Sequence, residues 1–239
     1  MGFDLQVSIY CMKKRIIYFW YKGFRKYQSI CCGTEYGCFD VVIQENIKNP
    51  IVYSFGIGED VSFSEAVIER FDAEVYAFDP TPKSIKFVSE SNLSNNPHFH
   101  FFPYGISDKD EKEKFYLPSN DEYVSGSVIA HDGVGGGEIQ VEMKSLKTIM
   151  QQLGHEKIDI LKMDIEGSEF KVIEKLNKEE SSAIGQICME IHERYFEKPI
   201  QHLVGLLKCL KKKNFSVACV RKELDVVTFI NKRIKNQEC

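Results

Sequence analysis

The chain has 239 residues, of which 43% are hydrophobic and 28% charged, with a formal net charge of −4 at pH 7. That length and apolar share suffice for one substantial core and call for no second one. The acidic balance, with a pI near 5.9, and the lack of zinc-finger spacing or any nucleic-acid motif exclude a basic nucleic-acid-binding domain.

The opening segment reads as a basic, aromatic helix. Lys13, Lys14, Arg15, Lys22, Arg25 and Lys26 are interleaved with Ile16, Ile17, Tyr18, Phe19, Trp20, Tyr21, Phe24 and Tyr27, and Asp4 is the only acid before Glu35. Its apolar run is too short for a transmembrane helix or a secretory signal. Residues 1–48 are therefore set apart as a helical extension that packs its aromatic side on the domain or on a second subunit and leaves its basic side in solvent. Contact of residues 9–30 with a membrane surface or an acidic partner is the alternative. The cysteines (11, 31, 32, 38, 188, 209, 219 and 239) contain no CxxC and no paired Cys/His set. They read as reduced thiols of a cytoplasmic protein, and no metal site is expected.

From residue 49 onward the pattern becomes strand, turn, helix, strand. The run Ile51-Val52-Tyr53-Ser54-Phe55 is apolar and β-rich, and Gly56 and Gly58 follow it as a turn where the backbone can approach a ligand. Phe63, Ala66, Val67, Ile68 and Phe71 recur at helical spacing, with Ser62 as the expected cap. A second strand then ends in Asp79, about 20 residues beyond the glycines, where a carboxylate can accept from both hydroxyls of a ribose. This constellation points to an adenosine cofactor.

The turn also discriminates between cofactors. A dinucleotide fingerprint needs a third glycine where Val61 stands, and Glu59 and Asp60 put negative charge where a pyrophosphate would sit. S-adenosylmethionine, cationic and free of phosphate, suits the turn better than NAD.

Further along, residues 81–91 read as a helix with Pro82 in its first turn, 98–103 as a strand, and 104–108 as a closing turn. An insertion at about 109–144 holds short strands at 114–117 and 139–143 around a glycine-rich loop at 123–137, a candidate lid. Residues 145–153 read as helix, 158–163 as a buried strand running into Asp164-Ile165-Glu166-Gly167, 168–177 as helix, 184–191 as strand, and 199 onward as an amphipathic helix. The runs 215–220 and 226–230 read as a terminal hairpin. The expected fold is Rossmann-like α/β: a mostly parallel seven-stranded sheet ending in an antiparallel hairpin, with helices on both faces.

In such a sheet ligands sit outside the carboxyl ends of the strands. Asp164 and Glu166 should flank the methionine end of the cofactor, and His192, just after a strand, is the leading candidate base, with Glu190, Glu166 and Asp164 as competitors. Glu169 is read as a competitor for the same region or as a carboxylate favoured by its helix dipole. His98, His100, His131, His155 and His202 read as structural or solvated.

These residues resemble those of the FkbM-type, class I, S-adenosylmethionine-dependent methyltransferases. The resemblance spans roughly residues 52–230 and rests on the glycine turn with Phe78-Asp79-Pro80-Thr81-Pro82, on Tyr104-Gly105-Ile106-Ser107-Asp108, and on the run from Leu161 through Asp164 and Glu166 to Glu169. It implies O-methylation of a hydroxyl on a carbohydrate or small metabolite. It also implies cofactor contacts at Gly56, Gly58, Asp79, Ser107, Asp108 and Asp164, and Ser54, Asp60, Pro80 and Thr81 complete the candidate set. An NAD-linked sugar oxidoreductase and a non-catalytic cofactor-binding subunit are the competing readings.

Overall fold

In the computed structural model, residues 2–22, 26–34, 37–44, 47–118 and 134–233 are described. Residues 119–133 of the insertion, with His131 and most of the candidate lid, lie outside them, as do Phe24, Arg25 and Cys239. The chain opens with α1 (Gly2–Lys22), β1 (Ser29–Cys32), β2 (Phe39–Val42), β3 (Ile51–Phe55), α2 (Ser62–Phe71), β4 (Glu74–Phe78), α3 (Pro82–Glu90) and β5 (Phe99–Phe102). It continues through β6 (Gly105–Ser107), β7 (Glu111–Pro118), β8 (Val134–Ser145), α4 (Leu146–Leu153), β9 (Ile158–Met163), α5 (Glu169–Lys175) and α6 (Lys178–Ala183). The last elements are β10 (Ile184–Glu190), α7 (Pro199–Lys212), β11 (Phe215–Val220) and β12 (Val226–Asn231).

Seven strands form one sheet in the order β11-β12-β10-β9-β3-β4-β5. The strands from β10 to β5 run parallel, and β12 lies antiparallel between β10 and β11. This is the Rossmann-like arrangement expected, and the strand order reverses between β3 and β9. Because both faces are covered, the strands read as nearly continuous apolar runs whose alternate residues feed two cores. Tyr53, Phe55, Leu161, Met163 and Ile187 pack with Tyr18 of α1, Ile149 of α4, Ile173 of α5 and Leu203 of α7. On the other face Val52, Ile160 and Cys188 pack with Phe63 and Val67 of α2 and with Phe39 and Val41 of β2.

Several local expectations are corrected. Residues 29–42, expected to be helical, form the β1–β2 hairpin, which lies across the sheet. The buried Gln186 of β10 accepts from the Val42 N–H at 2.8 Å and donates to the Val42 carbonyl at 3.1 Å, so one side-chain amide mimics a strand partner. Residues 105–107, expected as a turn, form a strand paired with β8 in a separate three-stranded sheet. Ser62 is the first residue of α2 rather than its cap; its N–H donates to Asp60 Oδ1 at 2.7 Å. Cys31 and Cys38 are joined as a disulfide, so the expectation of free thiols is corrected for these two, while Cys11, Cys32, Cys188, Cys209 and Cys219 are free.

The N-terminal helix packs Ile17, Tyr18 and Tyr21 on the core and leaves Lys13 and Arg15 exposed, and departs from its expected polarity at Lys14, Phe19 and Trp20. It buries Lys14 and Tyr18, while Trp20 is 79% exposed and Phe19 60%. Lys14 Nζ lies 2.5 Å from Glu193 Oε1, the Tyr10 hydroxyl donates to the same oxygen at 2.6 Å, and the Tyr18 hydroxyl donates to the Leu224 carbonyl. A buried carboxylate requires paired donors, and this demand acts together with the packing of Cys11, Ile17, Tyr18 and Tyr21 on the core to set the docked face. No helix among the described residues is long and apolar enough to cross a membrane.

Candidate functional site

The switch point between β3 and β9 brings two turns into direct contact. Gly56 has φ +77°, and a Cβ there would stand 1.7 Å from the Asp164 carbonyl oxygen. The glycine is therefore demanded by the neighbouring strand end as well as by any ligand. The buried Lys162 donates to the Gly56 carbonyl, tying the turn down from beneath. This lysine was missed in sequence; a cation inside an otherwise apolar strand was the available signal.

Asp79 ends β4 beside that turn and is almost wholly committed. Its Oδ2 accepts from the N–H groups of Ile57 at 2.9 Å and Gly58 at 3.0 Å, and its Oδ1 from the N–H and hydroxyl of Thr81 at 2.9 and 2.6 Å. A carboxylate offers about four acceptor sites, so all are taken and Asp79 is 5% exposed. In this arrangement Asp79 anchors the glycine turn, and a ribose bound there would exchange with those donors. Thr81 caps α3, accepting from the Ser84 N–H, with Pro82 in its first turn. Pro80 lies against Gly105, whose absent Cβ would meet Met143 and Pro80. Ser54 is buried in β3.

Asp60 occupies the N-terminus of α2. Besides the Ser62 N–H, its carboxylate receives the Thr34 hydroxyl at 3.3 Å. Ser107 and Asp108 are drawn away into a different cluster, where Lys171 Nζ lies 2.8 Å from both Asp108 Oδ1 and Glu113 Oε1. The Ser107 hydroxyl donates to Glu113 Oε1 at 2.9 Å. These two are not brought to the glycine turn by any contact of their side chains.

The four expected catalytic residues do converge. His192 Nε2 lies 3.3 Å from Glu166 Oε2, 3.3 Å from Glu190 Oε1 and 3.7 Å from Asp164 Oδ1. On the ring's other side Nδ1 is 3.3 Å from Glu169 Oε1, which also accepts the His192 N–H at 2.7 Å, while Glu169 Oε2 accepts the Gly167 N–H at 2.9 Å. Glu169 is thus a fully buried support, a role that only the fold reveals. Glu166 holds φ +51°, uncommon for a residue with a Cβ. The Tyr195 hydroxyl donates to Glu166 at 2.5 Å.

Charge is unevenly distributed over this cluster. Burial opposes charge on His192, but Glu169, Glu190 and Glu166 outweigh it and raise its pKa well above the ordinary value. Burial likewise opposes charge on Glu190, yet His192 and Arg194 hold its carboxyl down at about 2. Asp164 is pushed up to about 6 by burial and by Glu190 and Glu166, against Lys162; since 31% of its side chain still reaches solvent, the two carboxylates are the firmer cause. His192 is wholly buried, so the expectation that it contacts the acceptor as base is corrected. Asp164, Glu166 and Glu190, at 31%, 15% and 24% side-chain exposure, form the accessible rim. Two surface hollows, one lined by Trp20, Tyr21 and Lys211 and the other by Phe170, His202 and Cys209, include none of these residues.

Comparison with known proteins gives a family match over residues 50–217, described as the Methyltransferase FkbM domain. The curated relatives include the probable methyltransferase-like protein 24 of Homo sapiens, 28% identical over 82% of this chain, and that of Rattus norvegicus, 27% identical over 82%. The chain spans about half the length, 48%, of both relatives. Among solved structures, the Methyltransferase FkbM of Methylobacillus flagellatus aligns at 12% identity over 76% of this chain and 43% of its own, with a TM-score of 0.49. The Methanococcus jannaschii fibrillarin pre-rRNA processing protein aligns at 10% identity over 87% of this chain and 85% of its own, with a TM-score of 0.47.

Proposed function

The chain belongs to the FkbM methyltransferase family, and from that premise we propose that it transfers a methyl group from S-adenosylmethionine to a hydroxyl oxygen of a carbohydrate or small metabolite. The observation that carries the choice of cofactor is Asp60. Its carboxylate already accepts the first helical N–H of α2, so the position where a dinucleotide would seat its pyrophosphate holds a negative charge of the chain's own. The carboxylates of Asp164, Glu166 and Glu190 at the neighbouring strand ends suit a ligand bearing an ammonium and a sulfonium. Fit is thus electrostatic at both ends of the expected cleft.

Bound there, the cofactor supplies an electrophilic methyl group on a good leaving sulfur. The chain's own contribution is to hold the acceptor oxygen in line with that carbon, from which most of the rate can come. As the O–C bond forms, the S–C bond breaks and the acceptor's proton must leave. Of the rim residues, Glu190, Asp164 and Glu166 can reach such a proton; His192 orients them from below and acts as a positioning residue.

Calorimetry with S-adenosylmethionine, its demethylated product and NAD tests the reading. Binding of the first two and not of NAD is expected, whereas binding of NAD alone would return the sugar oxidoreductase reading. The non-catalytic reading predicts binding without transfer of labelled methyl to any hydroxyl acceptor.

A further inference from the structure

We infer that the ends of β9 and β10 form a divalent-cation site whose protein ligands are Asp164, Glu190 and His192. One ligand atom from each lies within 4.8 Å of the other two. Adjacent ligands of an octahedral ion with bonds of about 2.1 Å stand about 3 Å apart and opposite ones about 4.2 Å, so the observed 3.3 and 3.7 Å from the imidazole nitrogen to Glu190 and Asp164 require only a small contraction.

The imidazole supplies the independent argument. Glu169, itself buried and fixed by two backbone N–H groups, faces Nδ1. A carboxylate behind one ring nitrogen of a histidine is the arrangement that orients the other nitrogen as a metal ligand. That other nitrogen, Nε2, is buried and lies within 3.7 Å of three carboxylates, yet stands in hydrogen-bond geometry with none of them. A cation among these atoms would take the place of the proton that the surrounding carboxylates favour on the imidazole and would pair with the nitrogen and the carboxylates together, so ion binding releases a proton.

Among the described residues, the cationic side chains nearby do not fill this position. Lys162 Nζ is turned to the Gly56 carbonyl and lies 3.8 Å from Asp164 Oδ2, whereas His192 meets Oδ1 of the same carboxylate. Arg194, half exposed, reaches Glu190 Oε1, the oxygen that also faces His192, at 3.4 Å, so it pairs with one of the two carboxylates and not with the nitrogen. The contrast with the other acidic group is instructive: Asp108, Glu111 and Glu113 also lie close together, but the Lys171 ammonium is among them. Of these two acidic groups among the described residues, the one around His192 holds a buried nitrogen outside hydrogen-bond geometry.

One nitrogen and two carboxylate oxygens favour Mn2+ or Mg2+ over thiolate-seeking ions. The site replaces the expectation that the chain works without metal, and with the ion bound Asp164 and Glu190 serve as its ligands, which leaves Glu166 as the rim carboxylate for the cofactor's cationic end or the acceptor's proton. For its purpose, though not for its existence, the inference rests on the methyl-transfer reading: open coordination positions would bind an acceptor through its hydroxyl oxygen and favour loss of that proton.

The test uses the full chain, stripped with chelator and titrated with MnCl2, with spin-echo spectroscopy of the bound ion. One Mn2+ per chain, coupled to a single imidazole nitrogen, is expected. Glu190→Gln should weaken binding roughly 10- to 100-fold, and His192→Gln should abolish the nitrogen coupling. Should His192→Gln fail to fold by circular dichroism, the coupling in the wild-type protein decides alone. No Mn2+ binding up to about 1 mM, a free energy near 4 kcal/mol, or a bound ion without nitrogen coupling overturns the site. S-adenosylmethionine binding without a Mn2+ site removes the cation and leaves the methyltransferase reading standing; a Mn2+ site without S-adenosylmethionine binding does the reverse.

Discussion

Asp79 shows how a residue that is easily legible in sequence can do a different job from the one its position suggests. It supports the glycine turn through Ile57, Gly58 and Thr81, so Asp79→Ala leaves three backbone N–H groups and the Thr81 hydroxyl without that acceptor. A loss of about 3 kcal/mol in urea unfolding is expected, together with weaker S-adenosylmethionine binding by calorimetry. Asp79→Asn, which keeps one acceptor oxygen, should lose less of both. Gly56→Ala is the sharper test of the switch point. The added methyl group meets the Asp164 carbonyl oxygen and the residue sits at positive φ, so destabilisation of about 3 kcal/mol is expected from overpacking and strain. Equal melting temperatures for the glycine and alanine proteins would show that the two strand ends are not in contact.

At the scale of elements, α1 is fastened to the loop after β10 through Glu193, the residue next to His192. Lys14→Ala leaves that buried carboxylate without its ammonium and should cost about 3 kcal/mol, read from denaturant midpoints. Far smaller loss would mean the helix is not docked there. The element joints also set the acid limit of the fold. Lys171 holds Asp108 below the usual carboxylate range, and the Ser145 N–H at the start of α4 does the same for Asp110. Burial raises Glu74, but His98 and His100 across the β4–β5 pair outweigh it and lower its pKa. Groups depressed in the folded state add stability that is full above their unfolded values, near pH 4, and is lost as pH falls through the folded ones. Thermal melts between pH 6 and pH 2.5 should therefore fall steeply below about pH 4, and Asp110→Asn should flatten part of that fall.

For the molecule as a whole, the strands of the central sheet and their helices were legible because each strand is an apolar run that alternates with a helical pattern. The β1–β2 hairpin was not: it lies outside that alternation, and its partners are distant in sequence, Gln186 on Val42 and Thr228 on the Asp40 carbonyl. Lys14 and Lys162 were read as a solvated charge and a strand residue, because a sequence does not say which cation will find a buried acceptor. The sequence by itself determined the sheet, the glycine turn and the acids at the strand ends, since periodicity and turn chemistry are local properties of a chain. Only the tertiary structure decided that Asp79 is spent on the turn, that His192 lies buried over Glu169, and that Asp164 and Glu190 meet at its free nitrogen. Those outcomes depend on distances between strand ends far apart in sequence, which packing alone sets.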